Sequence, residues 1–256
     1  VKTFHFWIND FLHASVFLTR LPLGGFLPAA PLQPGGLEAT VRAFPLVGAL
    51  LAGLTGLVYW LAVGGLGLPP TVAAFLALAA LVVFTGGLHE DGLADVADGF
   101  GGGWDKARKL AIMKDSQLGS YGVLSLILGI GMKAAALAAL ANPLAVFGAL
   151  LAALALARTL PFLLMQGLTP ARSDGLGASF SPPPLGRLAV ALLLAFLLAW
   201  LGLGFLAALT GTLAALLVGW LFTLLAKRQI GGYTGDVLGA LIQLTEVVVL
   251  LAASAQ

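Results

Sequence analysis

The chain has 256 residues, 60% of them hydrophobic and only 9% charged, with 13 Lys or Arg against 11 Asp or Glu and a mean hydropathy of +1.03. A soluble domain carries roughly 25% charged residues, so this composition excludes a soluble globular protein and predicts an all-α polytopic membrane protein. Long unbroken apolar runs argue against a β-barrel. The few scattered charges argue against nucleic acid as a partner, and the absence of cysteine excludes disulfides, thiolate nucleophiles and cysteine metal sites.

In chain order, residues 4–21 mix aromatic side chains with Asn9, Asp10, His13 and Arg20. They are too polar to span comfortably and predict an N-terminal interfacial amphipathic helix that stops before Pro22. His5, Asp10 and His13 sit where a cleavable signal would carry an apolar core. The Gly/Pro-rich segment 24–36 reads as a loop or re-entrant connection. Ala43 to Leu88 is free of charge and breaks at Gly64–Pro70, giving spans at about 44–63 and 71–88. Further spans are expected at about 121–140, 143–165, 188–202, 204–226 and 237–253. These make about seven transmembrane helices in a single integral membrane domain over residues 1–256. With the N-terminus in the cytoplasm, every Lys- or Arg-bearing loop falls on the cytoplasmic side, and the turns near 64–70, 141–143 and 202–204 carry no charge. The expected site therefore opens to the cytoplasm. Arg158 and Glu246 lie inside spans, where charges are paired or functional; Lys133 is expected to snorkel outward.

The segment 86–122 holds six of the eleven acidic residues. Asp91, Asp95 and Asp98, spaced i, i+4 and i+7, share one helix face. Carboxylates without thiolates suit a hard ion, Mg²⁺ or Mn²⁺, with Glu90 and His89 beside them. The bland alternative is a solvated helix end. Gly99 to Gly103 allow close approach of an anion to backbone N–H groups. Lys106, Arg108 and Lys109 follow, as phosphate partners or as headgroup anchors. Lys114, Asp115 and Ser116 form a second polar knot, in which Asp115 adds a ligand or orients a hydroxyl, or Ser116 or Ser120 caps a helix. In the 231–236 loop, Thr234 suits a phosphate or ribose, and Asp236 a metal or hydroxyl.

These residues resemble a known family. Thr85–Gly103 (TGGLHEDGLADVADGFGGG) followed by Lys106–Leu126 (KARKLAIMKDSQLGSYGVLSL) is similar to the signature region of cobalamin synthase, the adenosylcobinamide-GDP ribazoletransferase family. FLTRLP at 17–22, the residues at 42–53 that begin RAFPLVG, Ala157-Arg158-Thr159 with Pro161, ARSDGLG at 171–177 and GGYTGDVLGA at 231–240 with Glu246 extend the resemblance over nearly the whole chain. Glu90 departs from the pattern, which has an apolar residue there. The resemblance implies a Mg²⁺-dependent transferase of cobalamin biosynthesis. A hydroxyl of α-ribazole or its 5′-phosphate attacks the phosphorus bearing the cobinamide arm of adenosylcobinamide-GDP, and GMP leaves. The expected assignment puts Asp91, Asp95 and Asp98, with Glu90, at the metal. Asp91, Asp95, Asp115 and Asp236 carry catalysis, with the proton acceptor either Asp115 or Asp236. Arg20, Arg42, Arg108, Lys109, Lys114, Ser116, Arg158, Arg172 and Thr234 bind substrate. The expected setting is a bacterial or archaeal cytoplasmic (inner) membrane, with homo-oligomers and docking of other late-pathway enzymes left open. Two rivals are weaker. A CDP-alcohol phosphotransferase wants Ala-Arg where Asp95 stands, and a cation-coupled transporter wants ionisable groups near the midplane in related halves.

Overall fold

In the computed structural model the described residues are 2–27 and 36–255, with the side chains of 2–5, 176 and 179 left aside. Part of the connection expected at 24–36 thus lies outside the described residues. Helix α1 (Lys2–Leu18) leads through short 3₁₀ turns at Gly24–Phe26 and Leu37–Ala43 into α2 (Phe44–Trp60) and α3 (Pro70–Thr85). The polar segment forms α4 (Leu88–Gly102), α5 (Lys106–Ile112) and the start of α6 (Ser120–Leu140). Then come α7 (Pro143–Ala157), α8 (Pro161–Gly167), the single turn α9 (Leu176–Ser179), α10 (Leu185–Leu203), α11 (Phe205–Ile230) and α12 (Gly235–Ser254). Among the described residues, six helical stretches are long and apolar enough to cross a membrane, seven if the bent pair α3–α4 counts as one. The protein is a multi-pass, all-α membrane protein.

The core helix is α7. Its run of alanines and leucines with Gly148 makes it small on every side, and nearly all of Val146–Ala157 is buried. Helices α2, α10 and α12 pack around it. Lipid-like surroundings offer little hydrophobic drive between helices, so close backbone approach carries the packing. At the α7–α10 crossing, a Cβ on Gly148 would stand 3.0 Å from the Gly202 carbonyl carbon; where α2 meets α7, one on Gly48 would stand 2.8 Å from the Ala155 Cα. By contrast α6, α10 and α11 expose Leu, Ile and Trp side chains along their outer faces, as lipid-facing helices do.

The span expected at 71–88 ends at Thr85. Gly86 and Gly87 both adopt left-handed φ of 70°, and the chain turns by 93° into α4. Helix α3 alone is about 24 Å long. Helix α4 then runs back along the first half of α6, from Glu90 near Lys133 to Asp98 beside Gly119 and Gly122. Thus α3 and α4 make one broken segment whose kink abuts the end of α1, where the Phe84 carbonyl accepts from the Arg20 N–H (2.7 Å).

Inside the bundle lies a charge network that corrects the expectation for Lys133. Rather than snorkelling outward, Lys133 is 2% exposed, about 20 Å along α6. Its Nζ donates to Gln243 Oε1 (2.6 Å) and Glu246 Oε2 (2.9 Å), and stands 3.8 Å from Glu90 Oε1. Arg158 Nη1 pairs with the other Glu246 oxygen, and Gln243 Nε2 donates to Glu90 Oε1 (3.0 Å). Two acids face two bases, so the network is neutral in sum. That neutrality is what lets four charges stay inside a membrane protein.

Candidate active site

Glycines bring the site together. Gly92 on α4 and Gly239 on α12 let the two helices meet backbone to backbone: a Cβ on Gly92 would stand 2.8 Å from the Asp236 carbonyl oxygen. This contact sets Asp91 and Asp95 beside the first turn of α12, which holds Asp236. Asp95 lies within electrostatic reach of Asp91, Asp236 and Asp98. Thr234 is the N-cap of α12: its Oγ1 accepts from the Val237 N–H (3.3 Å) and donates to Asp236 Oδ2 (3.1 Å). Thr234 is buried, and its hydroxyl orients Asp236. A Gly92→Val substitution is expected to push α4 off α12 and cost about 100-fold in turnover, the scale of a misplacement near 1 Å. Turnover and thermal stability in detergent are both expected to fall, because the added side chain meets the Asp236 backbone.

The loop after α8 is stapled to the loop before α12. Pro170 bridges Tyr233 in parallel fashion, the Ala171 N–H donates to the Tyr233 carbonyl (2.8 Å) and the Tyr233 N–H to the Thr169 carbonyl (3.0 Å). This places Arg172 Nη2 3.3 Å from Asp236 Oδ2, with Nε 3.8 Å from Asp174 Oδ1. Arg172 Nε and Nη1 have no hydrogen-bond partner although they are buried. A guanidinium with unmatched hydrogen-bond donors beside carboxylates can receive a phosphate oxygen. At the rim, Lys114 pairs with Asp174. The hydrogen bond from Lys114 holds the exposed Asp174 carboxyl below its ordinary range.

Below this mouth lies a cavity of about 240 Å³. Its walls are apolar: Phe17 and Leu18 from the end of α1, Phe44 from α2, Phe162 and Met165 from α8, and Phe180. Its floor is Arg158 and His89, which rest on the buried charge network. Asp91 also borders a wider open groove of about 810 Å³ between the end of α1 and the Gly86–Gly87 bend, where Arg20 lies.

The expected site residues divide accordingly. Asp91, Asp236, Arg172 and Arg158 line one cavity, with Asp95 next to them. Arg20 belongs to the adjoining groove. Asp98 is engaged elsewhere. Its carboxylate accepts from the Gly119 N–H (2.7 Å) and the Gly122 N–H (2.8 Å), serving the orphan donors at the start of α6. Neither Ser116 nor Ser120 is the cap residue of that helix, which is Gly119; Ser116 is exposed. Glu90 is held in the buried network by Gln243 and Lys133. Among the described residues no three Asp, Glu or His side chains form a ready-made metal cage.

Other expected residues are drawn off the mouth. Arg42 donates to Asp10 Oδ2 (2.6 Å) and stacks 4.5 Å over the Trp7 ring. Lys109 binds Gln229. The Arg108 side chain is exposed, and its backbone N–H is capped by Asp105 (2.8 Å). Asp115 is exposed and accepts from the Gln117 N–H (3.0 Å). The glycines expected to approach an anion sit in the last turn of α4 and just after it. A Cβ on Gly99 would meet the Lys109 carbonyl (3.1 Å) and one on Gly101 the Tyr121 ring (2.7 Å), so these two serve helix packing.

Sequence reasoning missed the phenylalanine wall and the floor position of His89. The signal was present: Phe17, Phe44, Phe162 and Phe180 each lie in or beside a polar motif, at FLTRLP, RAFPLVG, ARTLP and ARSDGLG.

Residues 10–254 match the sequence family described as cobalamin-5-phosphate synthase. Relatives named adenosylcobinamide-GDP ribazoletransferase include one from Bradyrhizobium diazoefficiens, 47% identical over 97% of this chain and 94% of its own. Another, from Mesorhizobium japonicum, is 44% identical over 96% and 93%, and one from Rhizobium etli is 42% identical over 95% of each. No solved structure matches the chain.

Proposed function

The chain belongs to the cobalamin-5-phosphate synthase family, and from that membership we propose that it joins adenosylcobinamide-GDP to α-ribazole or its 5′-phosphate, giving adenosylcobalamin or its 5′-phosphate and GMP. The observation that carries this reading is the convergence of Asp91, Arg172 and Asp236 at the mouth of one apolar cavity. The charged mouth suits a diphosphate, and the apolar walls beside it suit an apolar group.

The chemistry is a displacement at phosphorus. The acceptor hydroxyl forms the new P–O bond on the cobinamide-side phosphorus, the P–O–P bond breaks, and GMP leaves as a phosphate monoester. Asp236 accepts the hydroxyl proton; Thr234 and Arg172 hold its carboxylate in place. Asp236 is preferred over Asp115, which stands exposed on the rim. Arg172 directs its free Nε and Nη1 to the diphosphate oxygens. The phenylalanine walls keep water away from the phosphorus, favouring the nucleoside as attacking group.

The donor set fits Mg²⁺. The ion takes oxygen ligands, keeps several waters, and is commonly held by one or two carboxylates plus substrate phosphates. Asp91 and Asp95, on successive turns of α4 and without Asp98 or Glu90, meet that need. When bound, Mg²⁺ supplies charge neutralisation at the diphosphate. Mn²⁺ suits the same oxygens.

We place the mouth on the cytoplasmic face of a bacterial inner membrane, because Lys106, Arg108, Lys109, Lys114, Arg172, Lys227 and Arg228 all lie in or near the polar loops. The test uses purified protein in nanodiscs with both substrates. GMP and a cobamide are expected to appear in equal amounts with Mg²⁺ and to cease on chelation with EDTA. Ion-driven uptake of a solute without any GMP would overturn the reading.

A further inference from the structure

We propose that the cavity of about 240 Å³ beneath the Asp91–Arg172–Asp236 mouth receives the heteroaromatic base of the acceptor nucleoside; this rests on the transfer reading above. Three observations carry it.

The first is size. Pockets that hold a whole drug-sized ligand run to about 300–1,000 Å³. This one is smaller: it admits a bicyclic ring, whereas a tetrapyrrole macrocycle would have to remain outside, over the mouth and the adjoining groove.

The second is the wall. Phe17 and Phe180 lie 5.1 Å apart between ring centroids, Phe44 and Phe162 5.0 Å apart, and Phe17 joins the pairs at 6.2 Å from Phe44. This linked series of phenyl rings is a surface for a flat aromatic guest.

The third is the floor. Arg158 is 1% exposed and spends Nη1 on Glu246, leaving Nε and Nη2 without a partner; His89 is 2% exposed with both ring nitrogens unpartnered. Buried donors left unmatched are costly and uncommon. An occupant therefore brings a hydrogen-bond acceptor into an otherwise apolar volume. A benzimidazole base joined to ribose through one nitrogen has that character: an apolar bicycle with one unsubstituted ring nitrogen as acceptor. Glu246 and Lys133 act behind the floor, fixing where the Arg158 donors point.

Three ribosides test this on wild-type protein in nanodiscs with adenosylcobinamide-GDP and Mg²⁺, reading kcat/KM from GMP release. They are α-ribazole, the analogue with C–H in place of the unsubstituted ring nitrogen, and one with a linear tricyclic base. Both analogues are expected to fall at least tenfold below α-ribazole. Phe162→Ala, which enlarges the cavity, is expected to shrink the tricyclic penalty to threefold or less while KM for adenosylcobinamide-GDP moves by less than twofold. Equal use of the carbon analogue and α-ribazole would overturn the proposal. So would a Phe162→Ala protein that loses affinity for adenosylcobinamide-GDP and keeps the ranking of bases, since the cavity would then belong to the other substrate. If that variant fails to fold, the wild-type comparison decides alone. Failure of the transfer reading looks different: no riboside yields GMP. Base binding is then read from the fluorescence of α-ribazole titrated with protein, where saturable quenching supports the cavity assignment and its absence refutes it.

Discussion

Asp91→Asn is expected to lower turnover by about 10²–10³-fold, the usual loss when one charge-stabilising group is taken from a preorganised site. The side chain is exposed and borders both the cavity and the groove. Asparagine keeps its size, so the α4–α12 contact through Gly92 and Gly239 survives. What disappears is the charge, and with it the best-placed oxygen for a cation bridged to a diphosphate. GMP release at saturating substrates measures the loss, and unchanged thermal stability in detergent separates it from unfolding. A variant within threefold of wild type would remove Asp91 from the machinery.

Glu246→Gln is expected to damage the fold itself. Glu246 is fully buried and binds Lys133 with one oxygen and Arg158 with the other. Removing its charge leaves Arg158 without its ion-pair partner and Lys133 with only the more distant Glu90. Breaking a buried pair from one side costs about 3–5 kcal/mol, so a sharp fall in thermal stability and membrane yield is expected. The double variant Glu246→Gln with Lys133→Met returns the network to neutrality and is expected to recover a substantial part of that loss. Equal stability of the single variant and wild type, measured by heat-induced aggregation in detergent, would mean the network is dispensable.

The class of fold was legible because it follows from composition and run length, and neither depends on contacts. The spans at 204–226 and 237–253 were readable from Gly204 and from the loop before Asp236, and helices run there at Phe205–Ile230 and Gly235–Ser254. The right-angle bend was not readable. Gly86 and Gly87 look like ordinary loop residues until both take left-handed φ against the end of α1.

Within the candidate site, helical spacing correctly put Asp91, Asp95 and Asp98 near one another, and it is silent about what each carboxylate meets. Asp98 meets two amides more than twenty residues away, and Glu90 meets a glutamine on the last helix. Lys133 was expected to snorkel outward for the same reason: its partners Gln243 and Glu246 lie more than a hundred residues on. One signal was available. Among the residues within the expected spans, Lys133, Arg158 and Glu246 include charges of both signs, which buried charges need in order to pair. Glu90 has its partners within the buried network, in Gln243 and Lys133.

Asp91 and Asp95 are proposed to hold the divalent ion of a diphosphate at the cavity mouth. The most direct test of this is Mn²⁺ binding followed by electron paramagnetic resonance, with adenosylcobinamide-GDP present. Wild type is expected to take up Mn²⁺ tightly only with the diphosphate substrate, Asp91→Asn to lose that uptake by at least tenfold in affinity, and Asp98→Asn to keep it. Equal Mn²⁺ affinity in wild type and Asp91→Asn, or loss in Asp98→Asn alone, would contradict the account.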